Sequence, residues 1–160
     1  MNEILTPADA ERAIDDILTA YRGAWDAADA DAFGQLFTDE ASYVIFIGDA
    51  LIGRSAITEN HRDVFTTWQV GTKLRVQPLA IQILGGDVIS VVTAGGIDTD
   101  PDAIELDKLQ TFTLARTPSG WKIAAFHNTS MSRWSKARHN AAIEARPGSD
   151  GPVPELPPQR

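Results

Sequence analysis

Four residues stand out for the chemistry they could perform: His127, His61, Tyr21 and Asp107. His127 and Asn128 are neighbours in an extended segment, where successive side chains point to opposite faces, so at most one of them lines an interior. Trp121, Ile123, Ala125 and His127 form the more apolar of the two alternating sets, which predicts that His127 faces inward. An imidazole there could act as a general base or donate to a ligand carbonyl; the plainer reading is a buried histidine that orders the end of its strand. His61, one helical turn before Val64 and Phe65, would either reach the mouth of a cavity or cap the surface beside Glu59 and Asp63. Asp107 opens a strand and would serve as a base only if turned inward and stripped of water, which would raise its pKa. Two imidazoles with no carboxylate at ligand spacing do not make a metal site, and none is expected.

These residues need elements to position them. Thr6 as N-cap, Pro7 in the first turn and Asp9 at the capping-box position open a helix predicted over 7–28. Its apolar face carries Ile14, Ile17, Leu18, Tyr21, Trp25 and Ala28. A short second helix is expected from Asp31, with Phe33, Leu36 and Phe37 inward and Asp39 and Glu40 in the following turn. Tyr43–Ile47 reads as a strand, with Leu51–Gly53 as its short return. Ser55 should cap a third helix whose buried stripe is Ile57, Val64, Phe65 and Trp68. From Gly71 onward the pattern is extended, with strands expected at 72–84, 87–95, 107–117 and 121–130. Gly95-Gly96 is a candidate bend or bulge.

Three helices before a four-stranded antiparallel meander give an α+β fold: a cone in which helices cover the concave face of a curved, mainly antiparallel sheet. The domain is expected over 1–130, a helical extension over 131–146, and a disordered tail over 147–160, which holds five of the nine prolines. The cone would enclose one largely apolar pocket. Trp25, Phe37, Tyr43, Phe65, Trp68 and Phe112 supply candidate lining for a flat, conjugated ligand, with His61 and Asn128 beside them. Arg54, Arg75 and Arg116 are candidates to meet a carboxylate or enolate at its rim.

Composition narrows the partners. A net charge of −8 opposes nucleic acid and anionic lipid, so neither a nucleic acid nor a membrane is an expected partner. The late basic residues Arg133, Lys136, Arg138 and Arg146 read as a solvated helix face. With no cysteine there is neither disulfide nor thiolate site, which fits a reducing cytoplasm. Met1–Leu5 lacks a basic run ahead of an apolar stretch, unlike a signal peptide, so a cytoplasmic location is expected.

Three passages, "AWDAADADAFGQLFTDEASYV", "IGRSAI" and above all "GWKIAAFHNT" at 120–129, resemble the SgcJ/EcaC family of the nuclear transport factor 2-like, or SnoaL-like, superfamily of cone-shaped domains. The resemblance spans about residues 8–130. It implies the cone fold, a homodimer formed through the convex sheet face, and a place in enediyne or other polyketide biosynthesis. Val76, Ile89, Val91 and Leu109 are the residues expected to build that convex patch. Tyr21 matches the tyrosine with which the related ketosteroid isomerases stabilise a dienolate, but their catalytic aspartate falls on Ile45 and their protonated acid near Phe112. The isomerase route thus lacks its base. No glycine-rich turn links a strand to a helix to hold a dinucleotide, and no cofactor is expected. Two readings remain. One is a cofactor-independent cyclase, isomerase or dehydratase using His127, Tyr21 and Asp107 on a hydrophobic polyketide-like substrate. The other is a protein that binds and shields such a molecule, or docks on a polyketide synthase, without catalysis.

Overall fold

The computed structural model describes residues 4–144, so the tail expected over 147–160 lies outside the described residues. Helix α1 (Pro7–Asp26) opens with the expected capping box: Thr6 accepts from the Asp9 backbone N–H, and the Asp9 carboxylate accepts from that of Thr6. Its stripe of Ala10, Ile14, Ile17, Tyr21 and Trp25 is buried. Helix α2 (Ala30–Gln35) is capped by Asp29, whose side chain accepts from the Ala32 N–H. It packs so closely on the third helix that a Cβ at Gly34 would lie 1.9 Å from Thr58 Oγ1.

The expected short hairpin and four-stranded meander join in one sheet of six strands: β1 (Phe37–Ile45), β2 (Asp49–Ile52), β3 (Lys73–Gly85), β4 (Val88–Asp98), β5 (Lys108–Thr117) and β6 (Gly120–Ser130), in the order β2-β1-β6-β5-β4-β3. All pairings are antiparallel except β1 with β6, which is parallel and joins the N-terminal hairpin to the meander. Phe37 begins β1 rather than ending a helix, and Asp39 and Glu40 are exposed within that strand rather than in a turn. Arg54 stabilises this irregular stretch. Its guanidinium donates twice to the Phe37 carbonyl, at 3.0 and 2.9 Å, and pairs with Asp39 at 2.8 Å.

Helix α3 (Arg54–Asp63) starts two residues earlier than expected, with Gly53 at φ 89 in the N-cap position rather than Ser55. It then widens into a π-helical turn at Val64–Trp68, which keeps Phe65 buried but turns Trp68 outward to 76% exposure. A wider turn advances side chains by less than 100° per residue, so the periodicity that put Trp68 in the buried stripe stops applying there.

The core lies between the helices and the concave sheet face, with Phe33, Phe37, Phe112, Phe126, Leu114 and Ile123 almost fully buried. Ile89 and Val91 belong to this core, so they cannot form a convex patch; Val76 packs against the same core. Leu109 instead joins Ala94, Leu106, Met131 and Leu79 in a second cluster. Gly95 and Gly96 mark close approaches, not a bulge. A Cβ at Gly95 would strike the Gln110 side chain, and one at Gly96 would lie 1.7 Å from the Glu105 carbonyl oxygen. Helix α4 (Arg133–Glu144) follows β6, tethered by an ion pair between Lys136 and Glu105 at 3.1 Å. Among the described residues no helix is long and apolar enough to cross a membrane.

Candidate functional site

The interior contains a layer of aromatic side chains with a polar band beside it. Both are set by the register of β4, β5 and β6. A bulge in β6 decides which polar groups enter. Leu114 pairs with Ile123 but Thr113 pairs with Ala125, so Ala124 is an extra residue on β6. One inserted residue reverses the alternation: Ile123 and Phe126, three apart, both point inward. His127, predicted to face the interior, is therefore exposed, and Asn128 takes the inward position.

Asn128 lies opposite Gln110 on β5, and Gln110 lies opposite Thr93 on β4. Thr93 and Gln110 are buried, and Thr93 Oγ1 donates to Gln110 Oε1 at 3.0 Å. The Asn128 amide oxygen is buried with no partner among the described residues. An unpaired buried acceptor is costly, so this band is a place where a bound molecule could supply the missing bond.

The next row inward is aromatic. Tyr43 stacks on Phe126 with ring centroids 4.4 Å apart, and Tyr21 meets Phe112 edge-on at 5.1 Å. The Tyr21 and Tyr43 hydroxyls lie 3.4 Å apart, fully buried. Burial disfavours both phenolates: it pushes Tyr43 up to about 12, and Tyr21 well above the usual tyrosine range. The hydroxyls therefore stay protonated and act as donors.

His61 is inside this layer, 2% exposed, not on a surface flank. It stacks on Phe33 at 4.1 Å and lies edge-on to Tyr43 at 5.1 Å. Its Nδ1 lies 2.7 Å from the Ile57 carbonyl oxygen, which can only accept, so Nδ1 carries the proton and Nε2 the lone pair. Burial lowers its pKa to about 4, with the Ile57 bond opposing part of that fall. His61 is neutral at neutral pH and a weak base.

The other expected residues fall as follows. Trp25 donates to Thr72 Oγ1 at 3.0 Å and packs edge-on against Phe65 at 5.2 Å. Ile45 packs against the core, so both positions where the isomerases carry acids are apolar here, Phe112 being the other. Asp107 precedes β5 and pairs with Lys108 at 2.6 Å. With His127 outside and His61 inside, the two imidazoles do not meet. Of the arginines, Arg54 is committed to β1 and Arg75 is exposed on β3. Arg116 sits over the Trp121 ring at 5.0 Å, at the far end of the sheet. There, a separate cavity of about 260 Å³ opens between the start of α1 and the β5–β6 hairpin, lined by Leu5, Arg12, Asp16, Arg116 and Trp121 among others.

Sequence reasoning missed Gln110, Thr93 and Lys108. Their alternation with Phe112 and Val91 was readable, since Lys108, Gln110 and Phe112 share one face of β5. Exposed apolar side chains gather on segments at the same end of the sheet: Phe46 and Ile47 after β1, Trp68 and Val70 before β3, and Trp134 after β6.

Known structures share this architecture. A domain of unknown function with a cystatin-like fold from Nostoc punctiforme is 19% identical and superposes with a TM-score of 0.73 over 89% of this chain and 90% of that one. An uncharacterized protein with a cystatin-like fold from Caulobacter vibrioides is 19% identical, with a TM-score of 0.69 over 85% and 99%. A ketosteroid isomerase-like protein from Erwinia carotovora atroseptica is 18% identical, with a TM-score of 0.60 over 76% and 95%. At these identities the likeness is one of fold. No curated protein matches the sequence. The profile of the SnoaL-like domain matches residues 14–132, three-quarters of the chain, and the chain belongs to that family.

Proposed function

We propose that this protein binds a hydrophobic, oxygen-bearing small molecule of polyketide type and holds it without transforming it, as a cytoplasmic component of secondary metabolism. The orphaned Asn128 amide oxygen carries the reading. It belongs to the Thr93–Gln110–Asn128 band, beside an aromatic layer, where a ligand hydroxyl would complete an unfinished hydrogen-bond network. The apolar body of such a ligand would lie against the aromatic residues at that end of the sheet. The polyketide class comes from the resemblance of "GWKIAAFHNT" to the SgcJ/EcaC family.

Binding is favoured over catalysis by the protonation states of the interior groups. Proton abstraction at neutral pH needs a base poised near that pH. His61, at about 4, is a weak one, and burial keeps both tyrosines protonated. Among the described residues, the buried polar ones are His61, Thr93 and Gln110, with no carboxylate.

The test is a titration with aromatic polyketides and conjugated polyenes, followed by tryptophan fluorescence, with each ligand recovered for mass spectrometry and chromatography. Saturable binding with unchanged ligand is expected. Asn128→Leu should weaken binding of hydroxylated ligands by about 1–2 kcal/mol, or roughly 5- to 30-fold. A recovered isomer, cyclised product or dehydrated product would replace this reading with an enzymatic one, and failure of every ligand to bind would refute it.

A further inference from the structure

We infer that the ligand of this site carries a carboxylate and that Lys108 recognises it, an inference that rests on the binding reading above and specifies its chemistry. Lys108 opens β5 on the face of Gln110 and Phe112, one step beyond the polar band. Its side chain is only 19% exposed, an unusual degree of cover for a lysine. The ammonium lies 4.9 Å from the centre of the Phe46 ring and 2.6 Å from Asp107 Oδ2. Three N–H donors leave this nitrogen and Asp107 takes one, so donors remain for a second anion. Its partner across the ladder on β4 is Gly95, and the room left by that missing side chain is taken by the Gln110 side chain. Phe46 thus offers an apolar wall, Gln110 and Asn128 offer polar groups, and Lys108 supplies the fixed cation. A partly covered cation beside an apolar ring attracts a carboxylate more strongly than it would in open water. The arginines expected to do this are engaged with β1, exposed on β3, or at the other end of the sheet.

A conjugated tetraene acid, cis-parinaric acid, and its methyl ester differ only in this charge. Both report binding through fluorescence excited by nearby tryptophans. The full chain should bind the acid about 10-fold more tightly than the ester. Lys108→Met should bring the acid to the ester's affinity while leaving the ester within about twofold, and Lys108→Arg should keep the preference. Asp107→Asn frees the ammonium and should strengthen the acid alone. Circular dichroism establishes that each variant is folded. Equal binding of acid and ester by the unaltered chain, or a Lys108→Met loss shared by both, would overturn the carboxylate while the hydrophobic site stands. If the chain binds neither ligand, both readings fall.

Discussion

His61 shows how burial rather than residue type sets chemical character. A histidine with a helical neighbourhood of Glu59, Arg62 and Asp63 reads as a surface residue, yet it is enclosed by Phe33, Tyr43, Phe65 and Trp25. The local sequence showed only Phe65, because the other enclosing rings come from α1, α2 and β1. The cost is pH-dependent. With a folded-state pKa near 4 against an ordinary 6.5, the unfolded chain binds a proton that the native chain refuses between those values. Stability should therefore be fully present above about pH 6.5 and fall as pH drops toward 4, by about 3 kcal/mol at most from this group. Urea melts at pH 7, 5.5 and 4.5 measure the slope. His61→Phe, which keeps the ring but cannot titrate, should flatten it; an unchanged slope in that variant would assign the loss to other groups.

Elements were the most legible part of this molecule and their irregularities the least. The capping box fixed the start of α1, and the extended pattern from Gly71 onward placed the four long strands to within a few residues. The β6 bulge was invisible because Ala124 and Ala125 are equally acceptable on either face, and with it went the orientation of His127 and Asn128. The π-helical turn hid the exposure of Trp68 in the same way. Glycine positions were visible but their reasons were not, and two of them separate side-chain from backbone crowding. Gly34→Ala would thrust a methyl into Thr58 Oγ1 and should cost about 1–3 kcal/mol, despite alanine's better helix propensity. Adding Thr58→Ala should recover most of that loss. Gly96→Ala meets a carbonyl oxygen of the chain itself, so no side-chain truncation can relieve it, and Glu105→Ala should recover nothing. Urea midpoints for the two double mutants, compared with their singles, check both statements; recovery by Glu105→Ala would mean that the 101–106 segment shifts freely.

The whole molecule divides its sheet into two ends with different contents. At one end β1, β4 and β6 finish, β3 and β5 begin, and Lys108, the polar band and the exposed Phe46, Trp68 and Trp134 collect. At the other, the start of α1 covers the β5–β6 hairpin, and a cavity lined by Arg12, Asp16, Arg116 and Trp121 opens to solvent. The aromatic rings between them are packed against one another, so a ligand at the first end has no open route to the second. Location is therefore a sharper test than affinity. A ligand present at 100 times its Kd stabilises the native state by about 2.7 kcal/mol, and local openings that release it are suppressed by the same amount. Amide hydrogen exchange with saturating cis-parinaric acid should slow at 45–50, 64–72 and 107–110, which border the Lys108 end. Amides at 9–16 and 116–121, around the far cavity, should be unchanged wherever they exchange by local opening. The reverse pattern would move the ligand to the Arg116 cavity and leave Lys108 and Asn128 without a role in binding it.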